Sequence, residues 1–110
     1  MSQETRRFMR LMVFFDLPVS TRAARRAYTQ FRRFLLNERY DMLQFSVYAR
    51  LVNGNDDMEK HLKRLNSHLP PDGSVRYLQI SERQFSGMKL LVGEKTYQEN
   101  KVNAKQMLLF

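Results

Sequence analysis

Apolar and polar positions along the chain fall into two alternating periods, which mark strands and helices before any motif is considered. Residues 8–17 (FMRLMVFFDL) are rich in aromatic and branched side chains and too apolar for a surface helix, so they read as a strand. Met9, Leu11, Val13 and Phe15 share one face, and Arg10, Met12, Phe14 and Asp16 share the other. Bulky apolar residues on both faces imply that both are covered. Pro18 to Thr21 breaks the strand and supplies a hydroxyl cap for a helix over 21–36. Ala24, Ala27, Tyr28, Phe31, Phe34 and Leu35 form its buried stripe. Arg22, Arg25, Arg26, Arg32 and Arg33 recur at the same spacing on the other side.

Residues 42–52 alternate as a second strand. Leu43, Phe45, Val47, Ala49 and Leu51 lie on one face, and Gln44, Ser46, Tyr48 and Arg50 on the other. The turn Asn53-Gly54-Asn55 leads to a second helix near Asp56, with Glu59 completing a capping-box pattern. Met58, Leu62, Leu65 and Leu69 mark its apolar side, and Pro70-Pro71-Asp72-Gly73 ends it. Residues 74–81 and 87–92 read as further strands, and the apolar stretch Lys105 to Phe110 as a short terminal one. These elements predict a single α+β domain over 1–110 with its core in about 8–92 and a contact-making tail in about 93–110. The order is the βαββαβ of the ferredoxin-like split βαβ fold plus a C-terminal strand. With both helices on one sheet face, the face carrying Met12, Phe14 and Tyr48 would be open in a monomer, which predicts dimerisation through that face.

Charge sharpens this picture. Lys and Arg number 19 against 11 Asp and Glu, a net charge of +8, and a small domain with that surplus attracts polyanions. Only Glu38 is acidic between Asp16 and Asp41, so pairing within the first helix does not account for its arginines. Each guanidinium can meet a backbone phosphate bidentately without reading sequence. The alternative is a solvated helix face, the usual meaning of a charge run. Lys60, Lys63 and Arg64 are weaker candidates because Asp56, Asp57 and Glu59 neighbour them.

Asp16 is the catalytic suspect. A carboxylate ending an apolar strand is costly unless it meets water, a donor or a cation. One carboxylate is a poor Mg²⁺ site, whereas two related by a dimer axis would suit an ion that keeps its waters and binds phosphate oxygens. Spacing alone leaves open the simpler reading that Asp16 caps the following loop. His61 and His68 read as surface histidines. No phosphate-binding Gly-rich loop, HExxH or nucleophile elbow is present, and Arg76 to Ser81 lacks the paired aromatics of an RNA-recognition motif. No cysteine is present, which removes thiolate and Cys–zinc chemistry and fits a cytoplasmic location. The longest early apolar run, Leu11 to Phe15, is too short for a membrane span.

Three segments in order carry a family resemblance: Leu11-Met-Val-Phe-Phe-Asp16, Thr21-Arg-Ala-Ala-Arg-Arg26 and Leu43-Gln-Phe-Ser-Val-Tyr48. Over about residues 8 to 92 the chain resembles CRISPR-associated protein two, the small subunit that accompanies the CRISPR integrase in spacer acquisition. Gly87-Met-Lys-Leu-Leu-Val92 and the tail look closest to the version found beside type II systems. The resemblance implies a ferredoxin-like homodimer with sheets packed face to face and a C-terminal strand in dimer or integrase contacts. It also implies a bridging role, with double-stranded prespacer DNA supported between integrase dimers. A second implied activity is metal-dependent nuclease chemistry at the aspartate matching Asp16, with Mg²⁺ held by Asp16 and its dimer mate. A toxin-like ribonuclease related to virulence-associated protein D shares the fold and charge.

Overall fold

A computed structural model of the chain describes residues 8–94. Strand β1 (Phe8–Asp16) leads to helix α1 (Arg22–Asn37), the hairpin β2 (Asp41–Gln44) and β3 (Val47–Asn53), and helix α2 (Gly54–Asn66). Strand β4 (Ser74–Ser81) and the short helix α3 (Glu82–Ser86) follow. The sheet order is β2-β3-β1-β4 and every neighbouring pair is antiparallel. The molecule has the expected α+β class and βαββαβ order, with two strands where 42–52 reads as one, a single strand after α2, and α3 appended. The terminal strand expected at 105–110, and the part of the tail beyond Glu94, lie outside the described residues.

The position of β1 explains its composition. As an inner strand bonded on both edges it is covered on both faces, and Leu11, Met12 and Val13 are all at most 4% exposed. Leu11, Val13 and Phe15 join Phe31 and Leu35 of α1 and Met58 and Leu65 of α2 in one core. Phe15 is its aromatic centre, edge-on to Phe31 at 5.2 Å and to Tyr28 at 6.0 Å, and stacked on Tyr48 at 5.6 Å.

Helix α1 begins where Thr21 Oγ1 accepts the Ala24 N–H at 3.0 Å. It ends in a Schellman motif: Arg39 takes the left-handed conformation (φ 69°), and the Tyr40 and Arg39 N–H groups donate to the Leu35 and Leu36 carbonyls. At α2 the expected cap differs. The helix starts at Gly54, and it is Asp57, not Glu59, that reaches back, its Oδ2 accepting the Asn53 N–H at 2.9 Å.

Three expectations need correction. The segment 42–52 is a hairpin rather than one strand, because Ser46 adopts φ 67° and reverses the chain after Phe45. Tyr48 consequently lies in the core at 1% exposure and not on the open sheet face. Its alternation with Val47 and Ala49 is as read, but the register against β1 sets Tyr48 opposite Val13 and so on the helix side. The strand expected at 87–92 is absent. A capping box between Ser81 and Gln84 starts α3 directly after β4, and Leu91 and Val92 beyond it are about nine-tenths exposed.

On the face away from α1 and α2, Arg10 lies under α3. Its guanidinium forms a bidentate pair with Glu82 (2.6 and 2.9 Å) and sits 4.4 Å from the Phe85 ring centre. Leu51 and Leu78, which flank Arg10 and Met12 on that face, stay 41% and 51% exposed. No helix among the described residues is long and apolar enough to cross a membrane.

The histidine expectation also changes. His61 is 5% exposed, in a polar seam between α2 and the sheet. Arg50 Nη1 donates to the Glu38 carbonyl at 2.6 Å and lies 3.3 Å from His61 Nδ1, while His61 Nε2 faces Asp57 Oδ1 at 3.3 Å. Burial and the Arg50 charge push the His61 pKa below its ordinary value, outweighing Asp57 and Glu38. A histidine depressed in the folded state takes up its proton first in the unfolded chain, so stability falls as pH drops below about 6.5. Thermal melts at pH 7 and pH 5 are expected to show a lower Tm at pH 5. His61→Gln should remove part of that difference, at most about 1.4 kcal/mol per pH unit; an unchanged pH dependence would mean that His61 does not titrate with unfolding.

Candidate nucleic-acid interface

The spacing that lays apolar residues of α1 on the sheet leaves its outer side to arginine. Arg22, Arg25, Arg26 and Arg33, with Thr29 and Gln30, surround a shallow depression of about 370 Å³. Arg25 is steadied by donating to the Val19 carbonyl at 3.1 Å. Among the described residues no carboxylate pairs with these four guanidinium groups. They stand on a helix fixed to the core by Phe31 and Leu35, so a polyanion meeting them need not order the backbone first.

Arg32 stands apart from this group. Although exposed, it reaches close enough to the Tyr48 hydroxyl to interact with it. Burial raises the Tyr48 pKa and Arg32 pulls it part of the way back. Of the five arginines expected from the spacing, four line the depression, and Arg32, also exposed, lies beside it next to Tyr48.

Asp16 is exposed at the end of β1, between the buried side chains of Phe15 and Leu17. The Phe15 N–H donates to the Ser46 carbonyl at 3.0 Å, and Asp16 lies opposite Ser74 in the register. Gly73, at φ +89°, lies so close that a Cβ there would stand 2.5 Å from the Asp16 carbonyl oxygen. The Asp16 backbone is thus fixed from three sides while its carboxylate faces outward. No group of three His, Asp or Glu side chains suited to a metal ion occurs among the described residues. Within one chain the donor set for Mg²⁺ is a single carboxylate, which fits the ion only if a second copy supplies another.

With this geometry in view, comparison with known proteins decides the family. Residues 9–88 match the family model for CRISPR associated protein Cas2. The chain belongs to the Cas2 family. A Cas2 protein of Acidovorax ebreus is 62% identical over 102 residues, covering 93% of this chain and all of that protein. One from Ligilactobacillus salivarius is 44% identical, covering 79% of this chain and 86% of that protein. Both bear the name CRISPR-associated endoribonuclease Cas2. A crystal structure of a Cas2 protein superposes with a TM-score of 0.56 at 18% identity, over 82% of this chain and 92% of that one, a likeness of fold.

Proposed function

We propose that this Cas2 protein acts as a homodimer that binds a nucleic-acid duplex through the phosphates. In this reading it is the DNA-binding bridging subunit of the spacer-acquisition complex, supporting the prespacer between integrase dimers. The observation that carries the proposal is the arginine face of α1, where four guanidinium groups lack acidic partners among the described residues. Leu51 and Leu78 give the opposite sheet face the apolar surface that a second copy would cover. The two α1 helices of a dimer would then offer two phosphate tracks on one body.

A second reading, as a metal-dependent endoribonuclease, is favoured by the exposed and rigidly placed Asp16 and by the name its relatives bear. Mg²⁺, when bound, would neutralise phosphate charge and lower the pKa of a bound water. The chain's own contribution would be to hold one Asp16 carboxylate from each protomer toward the dimer axis.

The two readings separate in a reconstituted integration reaction with the cognate integrase, a short duplex and a CRISPR repeat. Asp16→Ala, checked to be a folded dimer, is expected to support integration at the wild-type level. Loss of integration in that folded variant would place Asp16 at the centre of the function and contradict the scaffold reading.

A further inference from the structure

Helix α1 carries a second feature beside its arginines. Gln30 lies on the border between the arginine depression and a narrower cleft of about 230 Å³ formed with the chain that follows α2. That cleft is lined by Phe34, His68, Leu69, Pro70 and Pro71 as well as Gln30. Phe34 and His68 stack at 4.1 Å and 13°. His68 Nδ1 donates to the Arg64 carbonyl at 2.8 Å, which fixes the tautomer and leaves Nε2 as an acceptor. The His68 ring remains exposed and Leu69 is 46% exposed, so this apolar strip is open to solvent. Two consecutive prolines keep its far wall stiff.

We propose that this cleft takes an unpaired nucleobase from a single strand whose phosphates lie on the arginine face. The inference rests on the phosphate-binding reading above and deepens it. Three observations point to this occupant. The cleft, at about 230 Å³, is smaller than the roughly 300–1,000 Å³ of a site for a drug-sized molecule, which favours a small occupant. Its exposed aromatic surface offers stacking, which is tolerant of base identity. Its polar groups, the Gln30 amide and His68 Nε2, can donate to and accept from a base edge. Arg26 and Arg33 stand next to Gln30 around the neighbouring depression, so one nucleotide can span both features, phosphate on arginine and base on histidine.

Fluorescence anisotropy with the full-length protein tests the inference, using a labelled 12-nucleotide thymidine strand and an abasic strand of the same length. The wild type is expected to bind the base-bearing strand about 5- to 20-fold more tightly, the effect of stacking one base. His68→Ala is expected to abolish that preference while leaving duplex affinity unchanged, and His68→Tyr to restore it. A uridine strand run in parallel separates ribose from deoxyribose backbones, and the same preference over an abasic ribose strand is expected. Equal, salt-sensitive binding of base-bearing and abasic strands would overturn the base cleft and leave the arginine face intact. No salt-sensitive binding of any strand or duplex would overturn both.

Discussion

Arg26→Glu with Arg33→Glu is expected to weaken binding of a DNA duplex by about 100-fold or more at moderate salt. Each arginine lost removes a charge-assisted hydrogen bond worth about 1.5–3 kcal/mol, and two of them at the low end already account for that factor. Each glutamate gained adds repulsion of the same phosphate. The side chains are exposed on the outer side of α1, away from Phe31 and Leu35, so the fold should tolerate the exchange. The double variant should also flatten the salt dependence by about two units of slope per chain, because two phosphate contacts are gone. Lys60→Glu with Lys63→Glu on α2 makes the same change in net charge at another place. If that control lost as much affinity, the arginines would be acting only through total charge, and the local interface would be wrong.

The largest expected effect on stability comes from Gly73→Val. Two costs add there. The residue sits at φ +89°, where an L side chain is strained by about 1–2 kcal/mol. A Cβ would also meet the Asp16 carbonyl oxygen at 2.5 Å and Leu17 Cδ2 at 2.8 Å, and forcing such a contact costs about 1–3 kcal/mol. Chemical denaturation should show a loss of roughly 2–5 kcal/mol at unchanged m-value. Gly87→Ala is the internal control: its φ is −82°, and the nearest contacts of a Cβ would be at an ordinary 3.5 Å. If Gly73→Val were as stable as the wild type, the close packing that fixes Asp16 would not exist.

How far the sequence reveals this molecule depends on which interactions are local. The arginine and apolar stripes of α1 follow from helical spacing alone, and the two-sided composition of β1 already marks it as an inner strand. The three segments that carry the family resemblance fall on β1, α1 and the β2–β3 hairpin. What stays hidden depends on partners distant in sequence. The turn at Ser46 requires a left-handed non-glycine residue, and nothing in an unbroken apolar alternation announces it. Tyr48 is inward only because Val13 lies opposite it across the sheet. The interaction of Arg32 with the Tyr48 hydroxyl depends on that same inward turn. His61 reads as a surface histidine because Arg50 and Glu38, which meet it in the seam, are distant in sequence. The cleft at Phe34 and His68 joins α1 to the proline-containing segment that follows α2, so no single stretch of sequence displays it.

The phosphate interface is the centre of this description, and its most direct test is a salt titration of wild-type protein with a short DNA duplex. The logarithm of the binding constant should fall linearly with the logarithm of salt concentration, with a slope of about −3.6 for four phosphate contacts in one chain and up to twice that in a dimer. Binding that does not weaken with salt would contradict an interface built on Arg22, Arg25, Arg26 and Arg33.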